Sequence, residues 1–577
     1  MSEKMQHGCL LVGKFLLFDL FWCLQTTFTS FSTPELYVNG LFVGLLLLLP
    51  YVLTKRESVF IIIALALDLL LMANLMYNRT YNSAIPLNSY LLSGNLRDFL
   101  PSVVDSLRWY DFLLPFSTLL FALGRKRLSM KAKGRCFYWR CLGVSALLSV
   151  TLVMMKGGLV KAMDSLQTPN DYTCGCPMYT VFGCMFYDAV KQQEELTDER
   201  KSEITGWLDA RPVCQPLPDS IGKRRNLILI LCESLESWVI DRVVEGQEIT
   251  PTLNRLLRDS TTLYAPYVLT QVKGGRSIDC QLMINAGMLP IRSGSFAFEF
   301  PSYDFHTLTK AMKEKYQSES CLLTVDKPII WNQGIIASAF GIERVISRED
   351  WQAAEEGTGP RKNLADEPFF RQSVAKMQKG EVWPVGKHAF LQFVTYSGHG
   401  PFKLPEQMQR LHFPDSYQEK LRDYMITANY TDYALSLLLD YVQSRPDYQE
   451  TMVVIVGDHE GLASDRAALC QSEKGRGLVS DKQFTPLIVV NSPVGMRYDD
   501  VMGQIDIYPT LLQLMGLDDY SWKGLGQSIL DEGKYPVAVA PDMHVEGDAA
   551  SVPQQEIERL RRAYDISDMM LRYDYQW

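Results

Sequence analysis

A chain of 577 residues exceeds what one hydrophobic core usually organises, so at least two structural units are expected. Its formal net charge of -9 argues against a general nucleic-acid binder, and no basic module with interleaved aromatics reopens that reading. Nearly all the long apolar runs precede about Met155, and the remainder has the mixed texture of a soluble domain.

Five apolar segments, about 9–28, 38–54, 58–77, 110–123 and 141–156, read as membrane helices and define an anchor over residues 1–156. Lys14, Asp19 and Asp68 interrupt them; such charges ordinarily face a bundle interior or lie near an interface. The loop from Gly124 to Arg140 sets the orientation. It carries Arg125, Lys126, Arg127, Lys131, Lys133, Arg135 and Arg140 with no acidic residue, and Lys55-Arg56 marks the loop between the second and third segments. Basic loops are retained in the cytoplasm, so five spans put everything after about Lys156 outside. The expected protein is multi-pass, in the inner or plasma membrane, with an extracytoplasmic catalytic domain. No A-x-A-like site follows the first segment, which reads as a retained span. Tyr90, Trp109 and Tyr110 are expected at the outer interface.

Residues 157–222 read as an extracytoplasmic connector, with a helix near Cys184–Asp209 and a boundary at Pro212, Pro216 and Pro218. Cys174, Cys176, Cys184 and Cys214 fall in or near this stretch, where a disulfide can persist, with free thiols as the alternative.

From Asn226 the texture becomes short apolar runs separated by helical stretches, the pattern of a buried, mostly parallel sheet in an α/β domain over 223–530. The runs are Asn226–Cys232, Cys321–Val325, Phe390–Thr395, Thr451–Val456 and Pro486–Val490. Polar groups follow them: Glu233, then Asp326 and Lys327, then His399, then Gly457-Asp458-His459. Ligands of open α/β sheets bind beyond the carboxyl ends of the strands, so these groups point to one rim. A segment 531–577, helical near 553–572, reads as a C-terminal tail.

Carboxylate oxygens and imidazole nitrogens suit hard and borderline divalent cations, which makes Glu233, Asp458 and His459 candidate ligands for Mn²⁺, Mg²⁺ or Zn²⁺. Adjacent Asp and His cannot both point inward from a regular strand, so a turn is required, and Gly457 and Gly461 are expected to permit it. The candidate nucleophile is Ser277, in Gly274-Gly275-Arg276-Ser277-Ile278-Asp279, where a helix over 278–286 would begin and favour an anion. Taken alone, Ser277 reads more simply as an ordinary N-cap.

Together these residues resemble the lipoteichoic acid synthase family, membrane phosphoglycerol transferases of the alkaline phosphatase and sulfatase superfamily. The resemblance rests on the five-span anchor, Leu-Cys-Glu-Ser-Leu-Glu-Ser at 231–237, Glu-Ile-Thr-Pro-Thr-Leu-Asn at 248–254, Gly-Arg-Ser-Ile-Asp, Trp331-Asn332, Ser397-Gly398-His399-Gly400-Pro401-Phe402, Gly457-Asp458-His459, and the late helix Asp506–Leu512. It implies one Mn²⁺-like ion held by Glu233, Asp458, His459 and Ser277. His399 would contact the phosphoryl group or assist the leaving group, and Arg276, Lys327, Trp331, Asn332 and His399 would bind substrate. The family nucleophile is usually threonine, here Ser277. Where the family often has an arginine after Trp-Asn, this chain has Gln333, leaving Lys327 or Arg276 to supply a cation.

The implied reaction takes the head group of a phospholipid donor, glycerol phosphate in the favoured reading, through a phosphoserine to a glycan, polymer or lipid acceptor. A phosphoethanolamine transferase, a related hydrolase and a catalytically silent membrane binding protein are the alternatives. A sulfatase needs a C/S-x-P-x-R context, which Ser277-Ile278-Asp279-Cys280 does not supply.

Overall fold

The computed structural model describes residues 3–25, 34–81, 107–124, 135–155, 195–212, 216–218, 224–292, 294–352, 357–358 and 363–576, with single positions at 85, 157, 158 and 182. Two compact units form, and the second holds Leu196–Trp577. The basic loop 125–134, Tyr90, Cys174, Cys176, Cys184 and Cys214 fall outside the description or at its masked positions.

The first unit contains α1 (Glu3–Gln25), α2 (Pro34–Thr54), α3 (Glu57–Tyr81), α4 (Leu113–Gly124) and α5 (Arg135–Met155). Among the described residues, three stretches are long and apolar enough to cross a membrane: Tyr37–Thr54, Glu57–Arg79 and Cys136–Met155. The helical stretch Trp109–Gly124 is apolar but shorter, and α1 carries Lys14 and Asp19 within it. Lys14 is paired inside with Asp68, as burial of a charge demands. Lys14 Nζ donates to Asp68 Oδ1 at 2.5 Å, to the Leu114 carbonyl at 2.9 Å and to Ser117 Oγ at 2.8 Å. Thr118 Oγ1 donates to the other Asp68 oxygen. Arg79 and Asp111 form a second buried, bidentate pair at 2.7 and 2.6 Å.

In the second unit, β1 (Asn226–Cys232) is buried along its whole length because it feeds two cores. Leu227, Leu229 and Leu231 belong to one hydrophobic cluster, and Ile228, Ile230 and Cys232 to the other, on the opposite face. Such a strand reads as an unbroken apolar run. The remaining strands of this sheet are β2 (Leu263–Leu269), β3 (Glu319–Thr324), β4 (Arg344–Ile346), β5 (Ala389–Val394), β6 (Thr451–Gly457), β7 (Phe484–Val490), β8 (Met496–Arg497) and β9 (Met502–Gly503). The nine strands run in the order β8-β2-β7-β6-β1-β5-β3-β4, with β9 also on β2. β6, β1, β5, β3 and β4 are mutually parallel, so their carboxyl ends share one edge. The run at Pro486–Val490 is the exception, since β7 pairs antiparallel with both neighbours.

The helices that position the site are α6 (Asp198–Asp209), α7 (Ser277–Ala286), α8 (Glu419–Ser444), α9 (Ile507–Leu514) and α10 (Gln554–Arg572). Residues of α6, α7, α9 and α10 build one core and those of α8 the other, giving helices on both faces of the sheet. The tail does not stand apart: Ala563, Tyr564, Ile566, Met570 and Leu571 of α10 pack into the same cluster as Trp207 and Leu208 of α6. The connector helix begins at Asp198, where Thr197 Oγ1 accepts the Arg200 N–H at 3.3 Å; most of its expected first part lies outside the described residues.

Candidate active site

Four loops leave the shared carboxyl edge and carry the candidate site residues. Glu233 follows β1, Asp458 and His459 follow β6, His399 follows β5, and Lys327 follows β3. Close backbone approach brings the β1 loop against both the β6 loop and the β5 loop. A Cβ on Gly457 would lie 1.9 Å from the Leu235 carbonyl oxygen, one on Gly398 2.0 Å from that of Glu233, and one on Gly461 2.6 Å from the Tyr424 ring. The glycines are therefore required by space. Neither Gly457 nor Gly461 has a positive φ, so it is lack of room and not a left-handed backbone that calls for glycine at the turn.

Glu233, Asp458 and His459 offer one ligand atom each, all within 4.8 Å of one another. His459 Nε2 lies 3.4 Å from Glu233 Oε1 and 3.7 Å from Asp458 Oδ2. Ser277 joins them: its Oγ is 3.4 Å from Glu233 Oε2 and 3.3 Å from His459 Nε2. Ser277 does not cap its helix, because Arg276 occupies the N-cap position. Arg276 has φ 51° and ψ -119°, an uncommon backbone for a residue with a side chain, held where the Gly275–Ser277 turn meets the site.

The loop before Ser277 is pinned by Asp279, whose Oδ2 accepts the N–H groups of Lys273 and Gly275, both at 2.9 Å. Gly275 has no room for a side chain, since a Cβ would stand 2.1 Å from Asp279 Oδ1. Further along α7, a buried chain of amides ties the helix to the sheet. Gln281 and Gln333 exchange reciprocal hydrogen bonds at 3.0 Å, Gln392 Nε2 donates to Gln281 Oε1 at 2.9 Å, and Asn285 Nδ2 donates to Gln392 Oε1 at 2.9 Å.

Electrostatics follow from the burial. Burial and the nearby Glu233 carboxylate push Asp458 up to about 6. Burial and the Arg276 guanidinium hold His459 below its ordinary value, which favours the neutral ring. His459 Nδ1 sits 3.0 Å from both the Glu460 carbonyl and an Arg276 guanidinium nitrogen, and Nε2 faces Ser277, Glu233 and Asp458. Asp458 Oδ1 accepts the Ser234 N–H at 2.7 Å, while the buried Oδ2 meets no hydrogen-bond partner among the described residues. An orphaned carboxylate oxygen beside a second carboxylate and an imidazole is costly unless a cation joins them, so the donor set fits a divalent metal.

Arg276 is engaged. It forms an ion pair with Glu460 and donates to the Glu460 carbonyl at 2.9 Å, with its other close neighbour His459 Nδ1 at 3.0 Å. Its cation thus organises the His459 loop. Lys327 is exposed on its loop. Trp331 and Asn332 have φ values of 54° and 50°, Trp331 stacks on Phe298 at 5.3 Å, and Asn332 Nδ2 donates to the Ala297 carbonyl at 2.8 Å. His399 is half-buried, its Nδ1 2.8 Å from the Gly400 carbonyl and its ring against Tyr396.

Several structural partners were not singled out from sequence. Glu236 Oε1 accepts the N–H groups of Gly461 and Leu462 at 2.7 and 3.0 Å and meets Arg466 at 2.7 Å, fixing the loop after His459. The signal for it was the second glutamate of Glu233-Ser234-Leu235-Glu236. Glu460 and the Gln281 amide chain had no comparable signal.

The sulfatase family model matches residues 225–517, just over half of the chain, and the model of the lipoteichoic acid synthase N-terminal domain matches residues 12–199. The lipoteichoic acid synthase of Staphylococcus aureus is 25% identical over 562 residues, covering 91% of this chain and 84% of that one. A lipoteichoic acid synthase-like protein of Bacillus subtilis, YvgJ, is 24% identical over 506 residues, covering 84% of this chain and 80% of its own. The crystal structure of the lipoteichoic acid synthase LtaP from Listeria monocytogenes shares the fold, with a TM-score of 0.51 at 17% identity over 65% of this chain and 98% of that one. The chain thus belongs to the sulfatase family, and over most of its length it is similar to lipoteichoic acid synthases.

Proposed function

We propose that this protein transfers the head group of a membrane phospholipid, glycerol phosphate from phosphatidylglycerol, through a phosphoserine at Ser277 to an extracytoplasmic acceptor. The observation that carries the reading is the position of Ser277 Oγ, 3.3 Å from His459 Nε2 and 3.4 Å from Glu233 Oε2, at the start of α7 rather than capping it. The names of the lipoteichoic acid synthase relatives support the choice of glycerol phosphate.

In the first step Ser277 Oγ gives its proton to solvent and forms a bond to phosphorus, while the bond from phosphorus to the diacylglycerol oxygen breaks and that oxygen takes a proton from His399. In the second step an acceptor hydroxyl attacks the same phosphorus and gives its proton to His399, while Ser277 Oγ leaves and regains a proton from solvent. His399, on the β5 loop, is the proposed proton donor to the leaving oxygen. Glu233, Asp458, His459 and Ser277 are the proposed holders of one divalent cation, with Mn²⁺ favoured over Mg²⁺ and Zn²⁺ for this oxygen-rich set. When bound, such an ion lowers the pKa of the serine hydroxyl and neutralises charge on the transferring phosphoryl group. The proposed roles of the chain's own groups are to hold the hydroxyl in line, keep the His459 ring neutral and oriented through the Glu460 carbonyl and Arg276, and bind the donor along Trp331, Asn332 and Lys327.

The five helices of the first unit are the proposed multi-pass anchor, with the catalytic unit outside the cytoplasm near its donor. Full-length protein with Mn²⁺ and phosphatidylglycerol should release diacylglycerol, and Ser277→Ala should abolish the release. Undiminished turnover by Ser277→Ala would remove the nucleophile assignment. Release from phosphatidylethanolamine alone would replace glycerol phosphate by phosphoethanolamine.

A further inference from the structure

The loop after β3 has a composition unlike the other loops of the rim. Lys327-Pro328-Ile329-Ile330-Trp331-Asn332-Gln333-Gly334-Ile335-Ile336 contains one charged residue, Lys327, and it is exposed. Ile329 is 66% exposed and Ile335 is 49% exposed, whereas the strands leading to this edge are buried. Ile329 precedes the short 3₁₀ turn Ile330–Asn332, and Ile335 lies in the first turn of the helix Gln333–Ala339 that follows it directly. Gly334 N–H donates to the Pro328 carbonyl at 2.9 Å, and a Cβ on Gly334 would already touch Pro328 Cβ at 3.2 Å. The half-buried Trp331 ring lies in the same turn, stacked on half-buried Phe298.

This apolar turn is also tied to the nucleophile. Gln333 exchanges two hydrogen bonds with Gln281, which stands one helical turn after Ser277 on α7. The turn therefore does not drift independently of the catalytic helix. Exposed branched aliphatics around an amphipathic indole, with a lysine at the margin, match the boundary between phospholipid head groups and acyl chains. The lysine complements an anionic surface. The phosphorus of a phospholipid donor lies at that same depth, so a nucleophile that attacks it must be carried to the bilayer surface.

We infer that the 327–336 turn is a membrane-contact surface, with Ile329 and Ile335 entering the outer leaflet while Trp331 and Lys327 sit at head-group level beside the donor. This inference rests on the proposed use of a membrane phospholipid, and it commits to a lipid bilayer as the occupant of the patch.

The test uses the full chain in proteoliposomes of phosphatidylglycerol and phosphatidylcholine, with a benzophenone amino acid placed at Ile329, at Ile335 or at Val385. Val385 is 70% exposed on the approach to β5, at the opposite edge of the sheet, and serves as the control. Illumination should give phospholipid adducts at positions 329 and 335 in at least about tenfold excess over position 385, as expected for side chains within the interface. Lipid adducts no more frequent than at 385, or adducts to a second copy of this chain in their place, would overturn the inference. The two exposed positions are independent, so one misfolded variant leaves the other decisive. Adducts do not require turnover: lipid capture without diacylglycerol release would defeat the proposed reaction alone, and release without capture would defeat the membrane contact alone.

Discussion

Replacing Gly398 by alanine is the sharpest steric test of how the site is assembled. Its Cβ would stand 2.0 Å from the Glu233 carbonyl oxygen and 3.1 Å from the carbonyl carbon, and the obstacle is backbone, which cannot swing aside. Ordinary contact begins near 3.4 Å, so the β5 loop and the β1 loop must separate. A separation of about 1 Å at reacting groups costs about a hundredfold in rate, or about 2.7 kcal/mol of barrier. Overpacking of this kind also costs about 1–3 kcal/mol of stability, too little by itself to unfold a domain of ordinary stability. Diacylglycerol release and thermal melting should be measured together on Gly398→Ala. The expected result is a fall of about two orders of magnitude in turnover by protein that still melts cooperatively. Gly206, in α6, is the control: a Cβ there meets nothing within 4 Å, and alanine should leave turnover intact while adding about 0.5–1 kcal/mol of stability. Parental turnover and melting in Gly398→Ala would refute the claim that close approach of the two loops sets the geometry.

Three further outcomes follow from the same structure. Gln281→Leu and Gln333→Leu should each cost about 1–3 kcal/mol by stranding a buried amide, and the double variant should cost clearly less than the sum; strict additivity in chemical denaturation would mean the two amides do not act as a pair. Burial works to raise Asp568, but Arg572 and Arg292 bring it down to about 2 from an ordinary 3.8. A folded-state value below the unfolded one stabilises above the unfolded pKa, and this is lost as pH falls from about 4 through 2; Asp568→Asn should cost about 2 kcal/mol at neutral pH and little near pH 2, and an equal cost at both would contradict the reading. Removal of divalent cations by a chelator should stop turnover and lower the melting temperature of the parent, with both restored by Mn²⁺, whereas full turnover in the stripped protein would contradict a metal-dependent site.

How far the residues reveal the fold depends on where the information lies. Four of the five apolar runs were legible as parallel strands because each is buried on both faces and ends in a polar group at the same edge. β7 has the same texture, and its antiparallel direction depends on which neighbours it meets, which composition does not encode. β2 escaped notice because Pro266 breaks its ladder, at the bulge where Thr485 and Leu487 change register. At the site, Glu233, Asp458 and His459 were legible as strand-end groups, and they meet at one edge of the sheet. The Arg276–Glu460 ion pair and the Gln281–Gln333 exchange join residues far apart in the chain, and no spacing announces them. The long C-terminal helix was legible, but its buried face, including Tyr564 and Met570, finds its partner on α6 only after folding.

The most direct measurement of the central claim is peptide-level mass spectrometry of full-length protein quenched during turnover of phosphatidylglycerol with Mn²⁺. The account predicts a glycerol phosphate adduct on Ser277, accompanied by diacylglycerol and absent from Ser277→Ala. An adduct on another residue, or sustained diacylglycerol release by Ser277→Ala, would contradict it.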